Sequence, residues 1–178
     1  VPVCVMLDHG EDLDYVKKAL DLGFSAVMYD GSSRPYEENV RLTRETVAMA
    51  QEYGANVEAE IGIVTGHEGK EFVGGAYTDP ELAAKYVKET GIDALAASVG
   101  TVHGFYAAQP KLDFDRIVKI RELTGVPLVM HGGSGISVED TQKAIRCGIR
   151  KINYFSYMSN AGVKGVQKLL EEKNVKYF

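Results

Sequence analysis

The chain has 178 residues, 45% of them hydrophobic, with 25 acidic against 20 basic side chains and a formal charge of −5. That length suits one domain with a sizeable core, burying roughly 70% of its unfolded surface. The basic residues are scattered among acids, which argues against nucleic acid as a partner, and no apolar run reaches the roughly 18 residues of a membrane span; with only Cys4 and Cys147 there is no disulfide framework, so a cytoplasmic compartment is expected.

In chain order, a first apolar run at 3–7 reads as a strand and leads into "LDHG". "LDYVKKALDLG" places Leu13, Val16, Ala19 and Leu20 on one helical face and stops at Gly23. A strand at 26–29 is followed by a helix that opens with proline and acids and closes at Gly54. After a strand at 56–61 comes the one long connection, 62–78, too rich in glycine for a helix and of a length typical of binding loops and lids. A helix capped by Asp79 and stopped by Gly91 precedes a strand at 94–99, and "LDFDRIVKIRELTG" repeats the grammar before a strand at 127–130. The last helix read from the pattern, 137–148, starts at Ser137 and ends at Gly148, and a strand follows at 151–154.

These six strands are short and rich in valine, isoleucine or alanine, and read as free of polar alternation, as strands buried on both faces of a parallel sheet are. Strand plus returning helix at about 30 residues suits both a doubly wound sheet and a (β/α)8 barrel. A barrel is favoured, because polar residues stand at the end of nearly every strand and not at one switch point. A barrel needs eight such units, so the chain is expected to hold about six, as one partial domain over 1–178.

The strand-end residues are Asp8 and His9, Asp30, Glu60, His103, His131 and Asn153. In a parallel α/β fold they converge on one face. His9, His103 and His131 supply the three protein ligands of a catalytic zinc site, and each is followed by glycine, whose backbone lets a ligand approach closely. Taken singly, each histidine reads equally as a satisfied side chain at the core's edge; their shared context favours ligands. "HGGSG" offers backbone donors and a hydroxyl suited to a phosphate. Asp30, Glu58 and Glu60 lie on or beside buried strands, where a lone charge is costly, so a neighbouring cation or arginine is expected. Asp8 reads as a proton carrier or a helix cap, and Glu68 and His67, by spacing alone, as solvated loop residues.

Seven ordered segments, "LDHG", "YDGSSRPYEENVRLT", "VEAEIG", "GTVHGFY", "PKLDFDRIVKI", "LVMHGGSGI" and "KIN", resemble the class II, metal-dependent ketose-bisphosphate aldolases that act on fructose or tagatose 1,6-bisphosphate. The resemblance implies a TIM-barrel lyase that binds zinc through His9, His103 and His131, with Asp8 as acid/base at the C4 hydroxyl and Glu68 handling the proton at C3. It implies phosphate contacts, and a sodium or potassium ion, at Gly104, Gly132, Ser134, Asn153 and Ser156, with Asp30 and Glu60 as supporting or alternate metal carboxylates. It further implies a sugar-bisphosphate substrate, and assembly as a homodimer or homotetramer. The chain departs from some members in having Ala107 and Ala108 after "HGFY" and Phe155 where an aspartate stands. The family's first two βα units and last helix have no counterpart in this reading. A non-catalytic metal- and phosphate-binding barrel fragment is therefore the competing expectation, while metal-assisted hydrolysis is disfavoured by Asp8 and Glu68.

Overall fold

The computed structural model describes residues 1–62, 71–72, 77–106 and 110–172, with 71–72 defined by backbone alone. Glu68, His67, Ala107 and Ala108 lie outside the described residues. Six strands, β1 (Met6–Gly10), β2 (Ala26–Tyr29), β3 (Asn56–Ile61), β5 (Ala94–Ala97), β7 (Leu128–Met130) and β8 (Ile149–Ile152), form one sheet. Two-residue strands β4 (Glu71–Phe72) and β6 (Phe105–Tyr106) pair separately.

All five pairings in the main sheet are parallel, and the strands lie side by side in chain order with no reversal. A doubly wound sheet reverses its order at the point where ligands bind. Monotonic order is the winding of a (β/α) barrel, here with β1 and β8 at the two open edges. The chain is thus a six-stranded portion of a barrel, as the strand-end pattern predicts.

Helices return between the strands as α1 (Leu13–Asp21), α2 (Tyr36–Tyr53), α3 (Pro80–Thr90), α4 (Phe114–Thr124) and α5 (Val138–Cys147). Side chains of Asp12, Asp79, Asp113 and Ser137 accept from first-turn amides, satisfying donors that have no intrahelical partner. Gly54, Gly91 and Gly125 end their helices in the left-handed conformation. No helix among the described residues is long and apolar enough to cross a membrane.

The structure differs from the pattern reading at several points, among them β5, which ends at Ala97 and not at 99. β1 runs on through Asp8 and His9 to Gly10, and β8 starts two residues early, at Ile149. A sixth helix, α6 (Ser156–Glu171), follows β8; Gly162 and Gly165 inside it obscure the helical signal. β3, "NVEAEI", also has a polar alternation that its near-complete burial hides from a reading based on composition.

That alternation divides the molecule. Val57, Ala59 and Ile61 of β3 join Val27, Tyr29, Leu95, Leu128 and Met130 in the core between sheet and helices. Period-two pleating sends Glu58 and Glu60 to the opposite, concave face, with Met28, Ala96 and Val129, all buried yet outside that core. The convex face is a conventional apolar core, and the concave face carries the ionisable groups.

Leu95, fully buried at the centre of the convex core, measures how much that layer contributes. Leu95→Ala is expected to cost about 2–5 kcal/mol, whereas Leu22→Ala, at a site 79% exposed, should stay within about 0.5 kcal/mol. Denaturant unfolding of both variants checks the contrast.

Candidate metal and substrate site

The site opens at the carboxyl ends of the strands, and its geometry begins with a fault in β1. Leu7 pairs with Val27 and Gly10 with Tyr29, so Asp8 and His9 together oppose Met28. This is a β-bulge, one extra residue on one strand. His9 takes φ 48°, and it is the one non-glycine residue with positive φ among those described. In a regular strand Asp8 and His9 would point to opposite faces; the bulge lets both line the same cavity. Gly10 closes the distortion, since a Cβ there would press on the carbonyl of Met28.

The other strand ends deliver their groups by simple alternation. Asp30 follows Met28, Glu60 follows Glu58, and His131 follows Val129 two residues on. His103 sits in the turn between β5 and β6, next to Gly104 at φ 94°. Gly132 packs so closely on Val102 that a Cβ would run into its carbonyl. Tyr106 bolts these two turns together, donating its hydroxyl to the Gly132 carbonyl at 2.7 Å and accepting from the Val102 amide at 3.1 Å. Burial pushes the Tyr106 phenol up to about 12, so it remains a donor at neutral pH.

The three histidines converge. His131 Nδ1 lies 3.0 Å from His9 Nε2 and 3.3 Å from His103 Nε2, and the ring centroids are 4.7–5.4 Å apart. Behind two of the rings stands a carboxylate. His9 Nδ1 is 2.7 Å from Asp30 Oδ2, and His131 Nε2 is 2.9 Å from Glu58 Oε1. An ionised carboxylate only accepts, so each places the ring proton on the nitrogen facing it. The nitrogens facing inward, His9 Nε2 and His131 Nδ1, are then bare in the neutral rings. Two lone pairs aimed at each other across 3.0 Å call for a positive charge between them, either a proton or a metal ion.

Zinc fits this donor set. Zn–N bonds of about 2.0–2.1 Å in a tetrahedral arrangement set ligand nitrogens about 3.3 Å apart, close to the two separations here. Histidine ligands backed by carboxylates are the usual supporting arrangement for such an ion. Glu60 Oε2, 3.7 Å from His131 Nδ1, flanks the same space from a residue 2% exposed. His9, Asp30 and Glu60 also offer ligand atoms within 4.8 Å of one another, an alternate set beside the histidine one.

Electrostatics follow the contacts. Burial alone would push the His9 imidazole down, but the Asp30 hydrogen bond and the charges of Asp8, Asp30 and Glu60 more than offset it, and the net shift is upward. Burial likewise opposes ionisation of Asp30, yet His9 and the side chain and amide of Ser32 hold its carboxyl at about 2. Asp30 is therefore an ionised anchor for His9 at neutral pH.

A cavity of about 340 Å³ opens over the histidines, lined by Asp8, Asp30, Glu60, Gly104, Gly132, Ser134, Asn153 and Ser156, together with Glu11, Ser32 and Phe155. His9 and His103 line it as well, and the fully buried His131 lies behind them against both rings. Across the mouth, Asn153 Nδ2 donates to Asp8 at 3.2 Å, tying the end of β8 to β1, so the two open edges of the sheet meet there. The Ser134 hydroxyl oxygen accepts from the amides of Phe155 and Tyr157 and caps α6, whose N-cap residue has no side-chain cap of its own. Every expected site residue among those described is thus in or against one cavity. The pattern reading did not single out Lys151, Tyr106 or Ser32. The cation expected near the buried carboxylates is Lys151, 2.9 Å from Glu58.

Comparison with known proteins agrees with this geometry. A family model described as "Fructose-bisphosphate aldolase class-II" matches residues 1–178. The chain is 48% identical over 171 residues to a fructose-bisphosphate aldolase of Geobacillus stearothermophilus, covering 96% of this chain and 60% of that one. A Staphylococcus aureus fructose-bisphosphate aldolase is 44% identical over 178 residues, 99% of this chain and 62% of its own length. The chain thus spans about three-fifths of these curated relatives. Among solved structures, the YdjI aldolase of Escherichia coli K12 superposes with a TM-score of 0.80 at 36% identity, covering 94% of this chain and 58% of that one. The Campylobacter jejuni fructose-bisphosphate aldolase, at 24% identity and a TM-score of 0.76 over 98% of this chain and 57% of that one, shares the fold.

The left-handed backbone at His9 gives a direct test of the bulge. An L-residue with a Cβ is strained there by about 1–2 kcal/mol and glycine is not. In metal-free protein, His9→Gly should be about 1 kcal/mol more stable than His9→Ala, the reverse of their order in regular structure. Equal stabilities in urea unfolding would refute the strain. Separately, Asp30→Ala should weaken zinc binding about 10–100-fold by releasing His9, read by competition with a chromophoric chelator.

Proposed function

Because this chain belongs to the class II fructose-bisphosphate aldolase family, we propose that it performs zinc-dependent, reversible aldol cleavage of a ketose 1,6-bisphosphate. The products are dihydroxyacetone phosphate and glyceraldehyde 3-phosphate. The observation that carries this reading is the pair of bare imidazole nitrogens facing each other at 3.0 Å, each ring backed by a carboxylate.

His9, His103 and His131 would hold the ion, with Asp30 and Glu58 orienting two of the rings and Glu60 beside them as an alternate ligand. Bound zinc supplies Lewis acidity at the substrate's carbonyl oxygen. Asp8 is exposed at the mouth, held by Asn153 Nδ2, with its carboxylate open to the cavity. It takes the C4 hydroxyl proton as the C3–C4 bond breaks; the electron pair passes to C3 and glyceraldehyde 3-phosphate leaves. Return of a proton to C3 is assigned to Glu68 on the family resemblance. The small lining residues Gly104, Gly132 and Ser134, with Asn153, Ser156 and the N-terminus of α6, suit a substrate phosphate and an accompanying sodium or potassium ion.

Fructose 1,6-bisphosphate is the first substrate to assay, with tagatose 1,6-bisphosphate as the C4 epimer. Assembly as a homodimer or homotetramer and a cytoplasmic location belong to the same reading.

Triose phosphate release from fructose 1,6-bisphosphate should disappear with a chelator and return with zinc. Asp8→Ala should retain zinc and lose about 10²–10⁴-fold in kcat. Zinc loss in that variant would mean that Asp8 is a ligand and not the proton carrier. Metal binding without triose release from either epimer would favour a non-catalytic metal- and phosphate-binding domain.

A further inference from the structure

Lys151, in β8, carries a charge to which the reading above assigns no part. A second register irregularity explains its position. Leu128 pairs with Ile149 and Val129 with Lys151, so Arg150 is the extra residue. Arg150 turns outward and donates to the carbonyls of Ile145 and Ile149. Lys151 thereby comes opposite Val129 on the concave face, in phase with Asn153 two residues on.

From there its ammonium makes two contacts. Lys151 Nζ lies 2.9 Å from Glu58 Oε2, the oxygen that Glu58 does not use on His131, and 2.8 Å from Asn153 Oδ1. Each contact settles an orientation. Holding one oxygen of the buried Glu58 carboxylate fixes the direction of the other toward His131 Nε2, 2.9 Å away, and neutralises a charge that would be costly to bury alone. Occupying the carbonyl end of the Asn153 amide leaves its NH₂ end to face Asp8, where Nδ2 is 3.2 and 3.3 Å from the two carboxylate oxygens. A continuous line therefore runs His131, Glu58, Lys151, Asn153, Asp8, and each link is a hydrogen bond of 3.3 Å or less.

We infer that Lys151 is a positioning residue that sets the histidine side and the proton-carrier side of the site together, through Glu58 on one hand and Asn153 on the other. It acts through its hydrogen bonds to Glu58 and Asn153. Its action is to hold the ring of one and the carboxylate of the other in register across the mouth. The inference rests on the reading of His131 as a metal ligand and Asp8 as the proton carrier.

The test is Lys151→Met beside Lys151→Arg, with two readouts on each. Zinc affinity, by chelator competition, should fall about 10–100-fold in the methionine variant. Its kcat at saturating zinc should also fall tenfold or more with KM changed less, because the substrate's own contacts remain. Lys151→Arg, which keeps a cation with several donors, should recover most of both. If Lys151→Met does not fold, the double variant Glu58→Gln, Lys151→Met removes the charge pair together, and its zinc affinity should be no lower than that of Glu58→Gln alone. A further fall there overturns the inference. So does wild-type zinc affinity in Lys151→Met, or a loss confined to one of the two readouts. Failure of the underlying reading is seen separately, in an unsubstituted protein that binds no zinc or cleaves no ketose bisphosphate.

Discussion

Everything at the mouth of this sheet depends on a carboxylate standing behind an imidazole. Asp30 behind His9 and Glu58 behind His131 fix which ring nitrogen carries the proton, and so aim two lone pairs into one small space. Without them each ring could turn or change tautomer, and three histidines near one another would be three ordinary polar side chains. With them, the inward nitrogens are committed before any ligand arrives. The order of effects matters: the carboxylates are held first, Asp30 by Ser32 and Glu58 by Lys151, then the rings, then whatever sits between them.

The fold supplies these pairs at little cost because strand pleating already sorts residues by face. Glu58 and Glu60 on β3, and Val129 and His131 on and just past β7, follow period-two alternation onto the concave side, while their neighbours build the apolar layer under the helices. Three further residues are placed by register irregularities. Asp8 and His9 share a face through the bulge in β1, and Lys151 reaches the concave face through the bulge at Arg150. Both bulges lie on the edge strands, where an extra residue disturbs one neighbour and not two. Backbone irregularity is thus confined to where the sheet tolerates it and the site requires it.

That division also explains what could be read from the chain alone. The helices were legible from caps and glycine stops, and the six strands from short apolar runs, because those signals are local. The convergence of His9, His103 and His131 followed from parallel topology once the strands were placed. The partners behind the rings were not legible in the same way. Nothing near His131 in sequence names Glu58, 73 residues away, as its partner, and a lysine in "IRKIN" looks like a solvated edge residue until the bulge turns it inward. The alternation in "VEAEI" was the available clue: two glutamates on one face of a buried strand require cations on the same side. The helix α6 was hidden for a different reason, its two glycines lowering a helical propensity that the fold overrides.

The site and the shape of the sheet support one another. β1 and β8 share no backbone ladder, yet Asp8 and Asn153 meet across the mouth and His9 reaches His131 at the end of β7. The Asp8–Asn153 hydrogen bonds link the two edges directly, and the His9–His131 contact links β1 to the end of β7. A cation held by His9, His103 and His131 would therefore bridge β1, the turn after β5 and the end of β7. It would stabilise the curled arrangement over a flatter one by its differential affinity, about 2.7 kcal/mol at a hundredfold excess over its dissociation constant. The strain at His9 acts in the opposite sense, about 1–2 kcal/mol stored in one residue. At that excess, binding more than offsets the strain, which the metal-free protein bears uncompensated. A left-handed histidine therefore persists where glycine would be easier for the backbone, because only a histidine there completes the set of three.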